Sequence, residues 1–227
     1  MKLTVIKDDL LRWFKLSPAR WIFPLFVLAQ CAYIPAKPVL EKRSEIPAES
    51  FLIHFVDLDL VDQKGEAFDV HDLADRGVLF NFIYTDCAAA CPVQTHTLVK
   101  VLKNLPTDVR RQIRFVSVSI HPETDTPDKL MQFAMNLQAD LDGWTFLTGN
   151  TKQIRRLSHT LQLVAPGGYA APAGSPTDPI KATLHQTTLW LVDRQGRLLQ
   201  RYQGDPPDPE RLVRELGQVS RMALAKN

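Results

Sequence analysis

The chain has 227 residues, 45% hydrophobic and 23% charged, enough apolar material for one sizeable core. Its 27 basic and 25 acidic side chains leave a formal net charge of +2. They form no dense Lys/Arg stripe, "EKRSE" at 41–45 being short and mixed, which argues against nucleic acid as a partner.

In chain order, the N-terminus stands apart. Lys2, Lys7, Arg12, Lys15 and Arg20 precede "WIFPLFVLAQCAYIPA" (21–36), an uncharged and mostly apolar run. A positive flank ahead of such a run predicts an export signal or membrane anchor over residues 1–36. The run is slightly shorter than the roughly 17–25 residues of a spanning helix. It also contains Pro24 and Gln30, so cleavage and anchoring both stay open. Leu28-Ala29-Gln30-Cys31 resembles a lipoprotein processing site, with Gln30 where such sites carry a small residue. The competing reading is a buried N-terminal core helix. Export would place the folded part in an oxidising compartment, where paired cysteines can form a disulfide. Residues 37–50 are polar, with Pro38 and Pro47, and read as a tether to a domain over 51–227.

Within that domain, "FLIHFVDLDLVDQKGEAFDV" predicts a hairpin turning at Asp62-Gln63-Lys64-Gly65. "VLFNFIY" (78–84) predicts a central buried strand. Pro92 suits a first helical turn, and Leu98, Val101, Leu102 and Leu105 supply an inner helical face. "IRFVSVSI" (113–120) is a second central strand. Thr126-Pro127 opens a helix with Leu130, Phe133, Ala134 and Leu137 inward, and 145–147 is a short extended piece. Residues 151–163 are helical through Ile154, Leu157 and Leu161. "TTLWLVD" (187–193) and "RLLQRYQ" (197–203) form a hairpin about Arg194-Gln195-Gly196. Asp208-Pro209 caps a last helix carrying Leu212, Val213, Leu216 and Val219. This order predicts an α/β fold: a thioredoxin-like central mixed sheet flanked by helices, with an extra N-terminal hairpin. The Pro/Gly-rich stretch 165–185 is a long loop of the kind that carries function.

Setting the leader aside, the domain has two cysteines, Cys87 and Cys91, in "TDCAAACPVQTH". One pair is too few for a disulfide-rich scaffold, a chain of this size folds without staples, and a bridge closing so small a loop stabilises little. That favours chemistry: a redox-active pair able to form a disulfide, or a soft metal site for Cu(I) or Zn²⁺. The pattern places Cys87 in a strand-to-helix turn and Cys91 at a helix N-terminus, where backbone N–H groups lower a thiol pKa. Among the histidines at 54, 71, 96, 121, 159 and 185, His185 ends the Pro/Gly loop just before a strand that should lie beside the cysteine turn. It can complete a Cys₂His set or be a polar cap on the strand end. His96 reads as a partly exposed helix residue. His121 follows a strand end and could support the site from behind. His54, His71 and His159 read as surface or loop residues.

From about Phe55 to Leu216 the sequence resembles the Sco/SenC family. The resemblance rests on "FIYTDCAAACP", "VSVSIHPETDTPDKL" and "HQTTLWLVDRQGRLL", in that order. It implies an exported or membrane-anchored thioredoxin-like protein, its soluble domain in the periplasm or an equivalent extracytoplasmic space. Such proteins deliver copper to the binuclear copper site of cytochrome c oxidase. It implies Cys87, Cys91 and His185 as ligands of Cu(I) and Cu(II), and a copper-receiving oxidase subunit as partner. A thioredoxin-like reductant or another copper donor would be further partners. The chain departs from the family in having Ala88-Ala89-Ala90 between the cysteines, His121 where Asp is usual and Ile83 where Gly is common. The alternative function is a membrane-tethered thiol–disulfide oxidoreductase that uses Cys87 and Cys91 to reduce a cuproprotein before metallation. Against it stand the Cys-x₃-Cys spacing and the lack of a Pro directly before strand 187–193.

Overall fold

The computed structural model describes residues 46–74, 76–87, 90–163, 188–202 and 208–224, all within one compact unit, Ser44–Asn227. The leader with Cys31, the first part of the tether, the Pro/Gly loop and His185 lie outside the described residues.

Seven strands make one mixed sheet. They are β1 (Leu60–Asp62), β2 (Ala67–Phe68), β3 (Gly77–Ile83), β4 (Ile113–Ser119), β5 (Trp144–Gly149), β6 (Leu189–Val192) and β7 (Leu198–Tyr202), in the spatial order β2-β1-β5-β4-β3-β6-β7. β3 runs parallel to β4, and β4 to β5. β6 returns antiparallel to β3, with β7 antiparallel beyond it. All seven residues of β3 are buried, as its unbroken apolar run requires for a strand covered on both faces. The helices are α1 (Ala90–Asn104), α2 (Thr107–Gln112), α3 (Pro127–Asn136), α4 (Thr151–Thr160) and α5 (Pro209–Leu224). The succession β3-α1-α2-β4-α3-β5-α4-β6-β7-α5 is, with the short α2 added, the thioredoxin-like arrangement expected, extended by the β1–β2 hairpin.

Local chemistry explains most boundaries. The Thr126 hydroxyl accepts from the Lys129 amide and Pro127 follows in the first turn of α3. Asn150 caps α4 by accepting from Lys152 and Gln153, and the Asp208 carboxylate accepts from Arg211 at the start of α5. Gly65 and Gly196 take φ of +80° and +76° in the two hairpin turns, a region that favours glycine.

Three features differ from the expectation. Residues Phe51–Phe55 form a 3₁₀ turn rather than strand, because Ser50 is buried and its hydroxyl accepts from the Leu52 amide. That turn sets Phe51 and Phe55 against Phe80, at centroid distances of 5.5 and 4.9 Å, with Phe51 also 5.0 Å from Trp190. It is fastened to the far hairpin, the Phe51 amide donating to the Gly196 carbonyl at 2.6 Å. Second, Pro106 breaks the helical run after α1 and starts the separate helix α2. Third, the short piece at 145–147 is a full strand, β5, paired on both sides with β4 and β1.

The opposite face of β3 and β4 is polar at its centre. Asn81 is 1% exposed; it donates to Gln94 Oε1 on α1 (3.3 Å) and its Oδ1 accepts from Ser117 Oγ (2.6 Å). Ser117 in turn accepts from Trp144 Nε1 at 2.7 Å. A network of this kind fixes the register of α1 against the sheet, because any slip would strand buried polar groups.

Candidate metal and thiol site

β3 and β4 end side by side, and the Ile120 amide, donating to the Ile83 carbonyl at 2.9 Å, extends their pairing past the last ladder residue. The chain leaves β3 through Tyr84 and Thr85 and turns, the Cys87 amide donating to the Tyr84 carbonyl at 3.2 Å. Four residues later Cys91 lies in the first turn of α1, and its amide donates to Cys87 Sγ at 3.3 Å. One of the helix N–H groups that has no partner within the helix is thereby satisfied by sulfur. Both residues are thiols, 9% and 4% exposed.

The protonation chemistry of Cys91 differs from the expectation for a helix N-terminus. Its pKa is raised, first by the side-chain hydrogen bond with Cys87 and then by burial, while a backbone hydrogen bond at Tyr84 opposes the shift. The sulfur-to-sulfur contact and desolvation outweigh the helix terminus, because a second charge so close in a low dielectric is disfavoured.

A buried carboxylate braces the turn. Asp125, 0% exposed, accepts from the Thr85 amide (3.1 Å), the Thr85 hydroxyl (2.6 Å) and the Ser119 hydroxyl (2.6 Å). The strand end, the cysteine turn and the entry to α3 are joined at that one group. His121 sits beside it, half-buried; its amide donates to Ser119 Oγ, and its Nδ1 is 2.9 Å from Thr124 Oγ1. Cys87 and Cys91 are thus brought together, His96 is exposed on α1, and His185 lies outside the described residues. Among the described residues no three His, Cys, Asp or Glu side chains are grouped to hold a metal ion. Two adjacent sulfurs are nonetheless a fitting donor set for a soft monovalent cation, and equally for a disulfide.

Sequence reading singled out the sulfurs but not the groups that place them. The Thr85–Asp125 link spans 40 positions and carries no local signal. Gln94 could have been found: with Thr95 it is a polar residue about one turn past Cys91 on a face of α1 that is otherwise apolar through Leu98, Val99, Val101 and Leu102.

Residues 49–221 match the model of a family described as SCO1/SenC. A Stutzerimonas stutzeri protein, provisionally named as copper-binding, is 33% identical over 141 residues, covering 62% of this chain and 65% of its own length. Among solved structures, a SCO1/SenC family lipoprotein from Bacillus anthracis str. Ames aligns with TM-score 0.58 and 25% identity, over 71% of this chain and 91% of its own. BsSco, a member of the Sco family of cytochrome c oxidase assembly proteins in which a disulfide switch was identified, aligns with TM-score 0.55 and 25% identity, over 71% and 90%. Among the described residues no helix is long and apolar enough to cross a membrane.

Proposed function

The chain belongs to the SCO1/SenC family, and on that premise we propose that it is a metallochaperone carrying copper to the binuclear copper site of a respiratory oxidase. The observation that carries this reading is the pairing of the two cysteines at the start of α1, where the Cys91 amide donates to Cys87 Sγ and the two side chains are hydrogen-bonded. A copper-binding relative and an oxidase-assembly relative support it. Cys87 and Cys91 would hold Cu(I) as its cargo site. His185, added as a third donor, would make a mixed sulfur and nitrogen set that also accepts Cu(II). Loading must release protons, because both thiols are ligands only as thiolates. An oxidase thiol or imidazole would then displace the donors one at a time. Residues 1–36 would tether the domain to a membrane, as a lipoprotein through Cys31 or as a retained anchor, with the domain in the periplasm. Partners would be the receiving oxidase subunit and either a thioredoxin-like reductant or another copper donor.

A second reading is favoured by the disulfide switch identified in BsSco. In it the Cys87–Cys91 dithiol attacks a disulfide on a cuproprotein. The two sulfurs end joined, the target ends as two thiols, and two electrons and two protons pass to it. The test is anaerobic titration of the reduced full chain with Cu(I) and Cu(II), alongside Cys87→Ser, Cys91→Ser and His185→Ala. Tight stoichiometric copper lost in both serine variants supports the chaperone. Weak copper binding together with rapid reduction of a target disulfide would select the oxidoreductase instead. Unchanged Cu(II) binding in His185→Ala would remove the third ligand.

A further inference from the structure

At the end of the sheet opposite the thiols, the entry to β3, the exits of α1 and α2 and the entries to β4 and β5 enclose a cleft of about 800 Å³. Arg76, Lys103, Arg110, Arg111 and Arg114 line it, against a single lining carboxylate, Asp142, among the described residues. β3 and β4 each run seven residues from this end to the thiol end. At about 3.3 Å per residue, the two sites are separated by roughly 20 Å.

We propose that this cleft binds a multiply charged phosphate-class anion, presented by an anionic phospholipid headgroup or by a soluble phosphorylated ligand. Three of the five cations, Arg76, Arg110 and Arg114, are held in place by contacts with the chain. Arg76 Nη1 donates to the Arg111 carbonyl at 3.2 Å and Arg114 Nη1 to the Asp142 carbonyl at 2.9 Å, while Arg110 pairs with Asp140. These backbone contacts orient the two guanidiniums, and the Asp142 carboxylate offsets only part of the Arg114 charge. Burial, and then the charge of Arg76, lower the pKa of Arg114. Bringing cations together in this way costs free energy that a bound anion would return. Planar guanidiniums match phosphate oxygens in pairs, and Lys103 adds a point charge. A lone carboxylate would neutralise too little, whereas a phosphate monoester carries about −1.5 to −2 at neutral pH. The concave shape suits a small polyanion better than a flat protein face. The proposal does not depend on what the thiols carry.

The test uses the full chain in nonionic detergent. Lys103 and Arg111 are exposed, so their reversal should spare the core. One arm titrates inorganic pyrophosphate; the other uses micelles doped with phosphatidic acid, whose headgroup is a phosphate monoester, against phosphatidylcholine as control. Wild type should bind at least one probe, and Lys103→Glu/Arg111→Glu should weaken it about tenfold or more, with thiol titre unchanged. The milder Lys103→Gln/Arg111→Gln pair should fall between, and binding should weaken steeply above about 0.15 M ionic strength. Pyrophosphate binding alone identifies a soluble ligand, and phosphatidic acid binding alone a headgroup. Binding to neither probe, binding of only a polyglutamate peptide, or equal binding by wild type and both variants overturns the proposal.

Discussion

The carboxylate of Asp125 holds Thr85 twice, accepting from its backbone amide at 3.1 Å and from its hydroxyl at 2.6 Å, two residues ahead of Cys87. Asp125 thus sets the exit of β3 from across the β4–α3 loop, and the position of the first sulfur follows from it. Asp125→Ala would leave the Thr85 amide and the Thr85 and Ser119 hydroxyls without their acceptor. We expect a loss of about 2–4 kcal/mol in stability by denaturant unfolding. Copper affinity should fall with both cysteines intact. Unchanged copper affinity would show that the turn holds its shape without the brace.

The raised pKa of Cys91 makes a prediction about reactivity. At pH 8 it should be alkylated by iodoacetamide far more slowly than free cysteine, since the thiolate is the nucleophile. The largest cause is the hydrogen bond with Cys87, so Cys87→Ala should speed alkylation of Cys91 and shift its rate profile to lower pH. Mass spectrometry of the labelled peptide measures this. An identical profile in the variant would assign the slow reaction to burial alone.

The last strand and last helix are joined by a titrating pair. The Tyr202 hydroxyl donates to Glu215, whose other oxygen accepts from Arg211 Nε at 2.8 Å. Burial pushes Glu215 upward, but the bonds from Tyr202 and Arg211 and the Arg211 charge outweigh it, so its pKa is lowered overall. A depressed carboxylate stabilises the fold above its unfolded pKa, about 4.3, and loses that contribution as pH falls through the folded value. Tyr202 is shifted upward by burial and by Glu215. Its contribution is therefore whole below the unfolded pKa near 10 and fades as pH rises beyond it. Tyr202→Phe should cost about 1 kcal/mol at pH 7. The stability gap between wild type and Glu215→Gln should narrow below about pH 4. Urea midpoints across pH test both.

Ser117 is the junction of the buried polar network, donating to Asn81 and accepting from Trp144 Nε1. Ser117→Ala would leave the indole N–H and the amide oxygen buried without those partners, at a cost of about 1–3 kcal/mol. Tryptophan fluorescence should shift with the unfolding midpoint. A neutral result would mean that water replaces the hydroxyl.

Much of the fold was legible because its signals are local. The apolar runs of β3 and β4, the Thr126-Pro127 start of α3 and the glycine turns at 65 and 196 each act within a few residues. Phe51–Phe55 misled because its apolar content suits a strand as well as a turn, and Ser50 together with contacts to Phe80 and Trp190 decided between them. β5 looked short because its pairing to β1 comes from a hairpin more than 80 residues upstream.

The sequence alone determined which chemistry was available: two thiols four positions apart, placed by flanking patterns at a strand-to-helix turn, inside motifs shared with a family. Spacing and hydrophobic period are properties of neighbouring residues, so no tertiary knowledge was needed. Only the tertiary structure decided how those thiols behave. It set Cys91 against Cys87 in a buried turn and raised a pKa that a helix terminus by itself would lower. It brought Asp125 to Thr85 across 40 positions, and it drew five cations from four parts of the chain into one cleft at the far end of the sheet. Burial and distance between remote residues control each of these, and neither can be read from the order of residues in the chain.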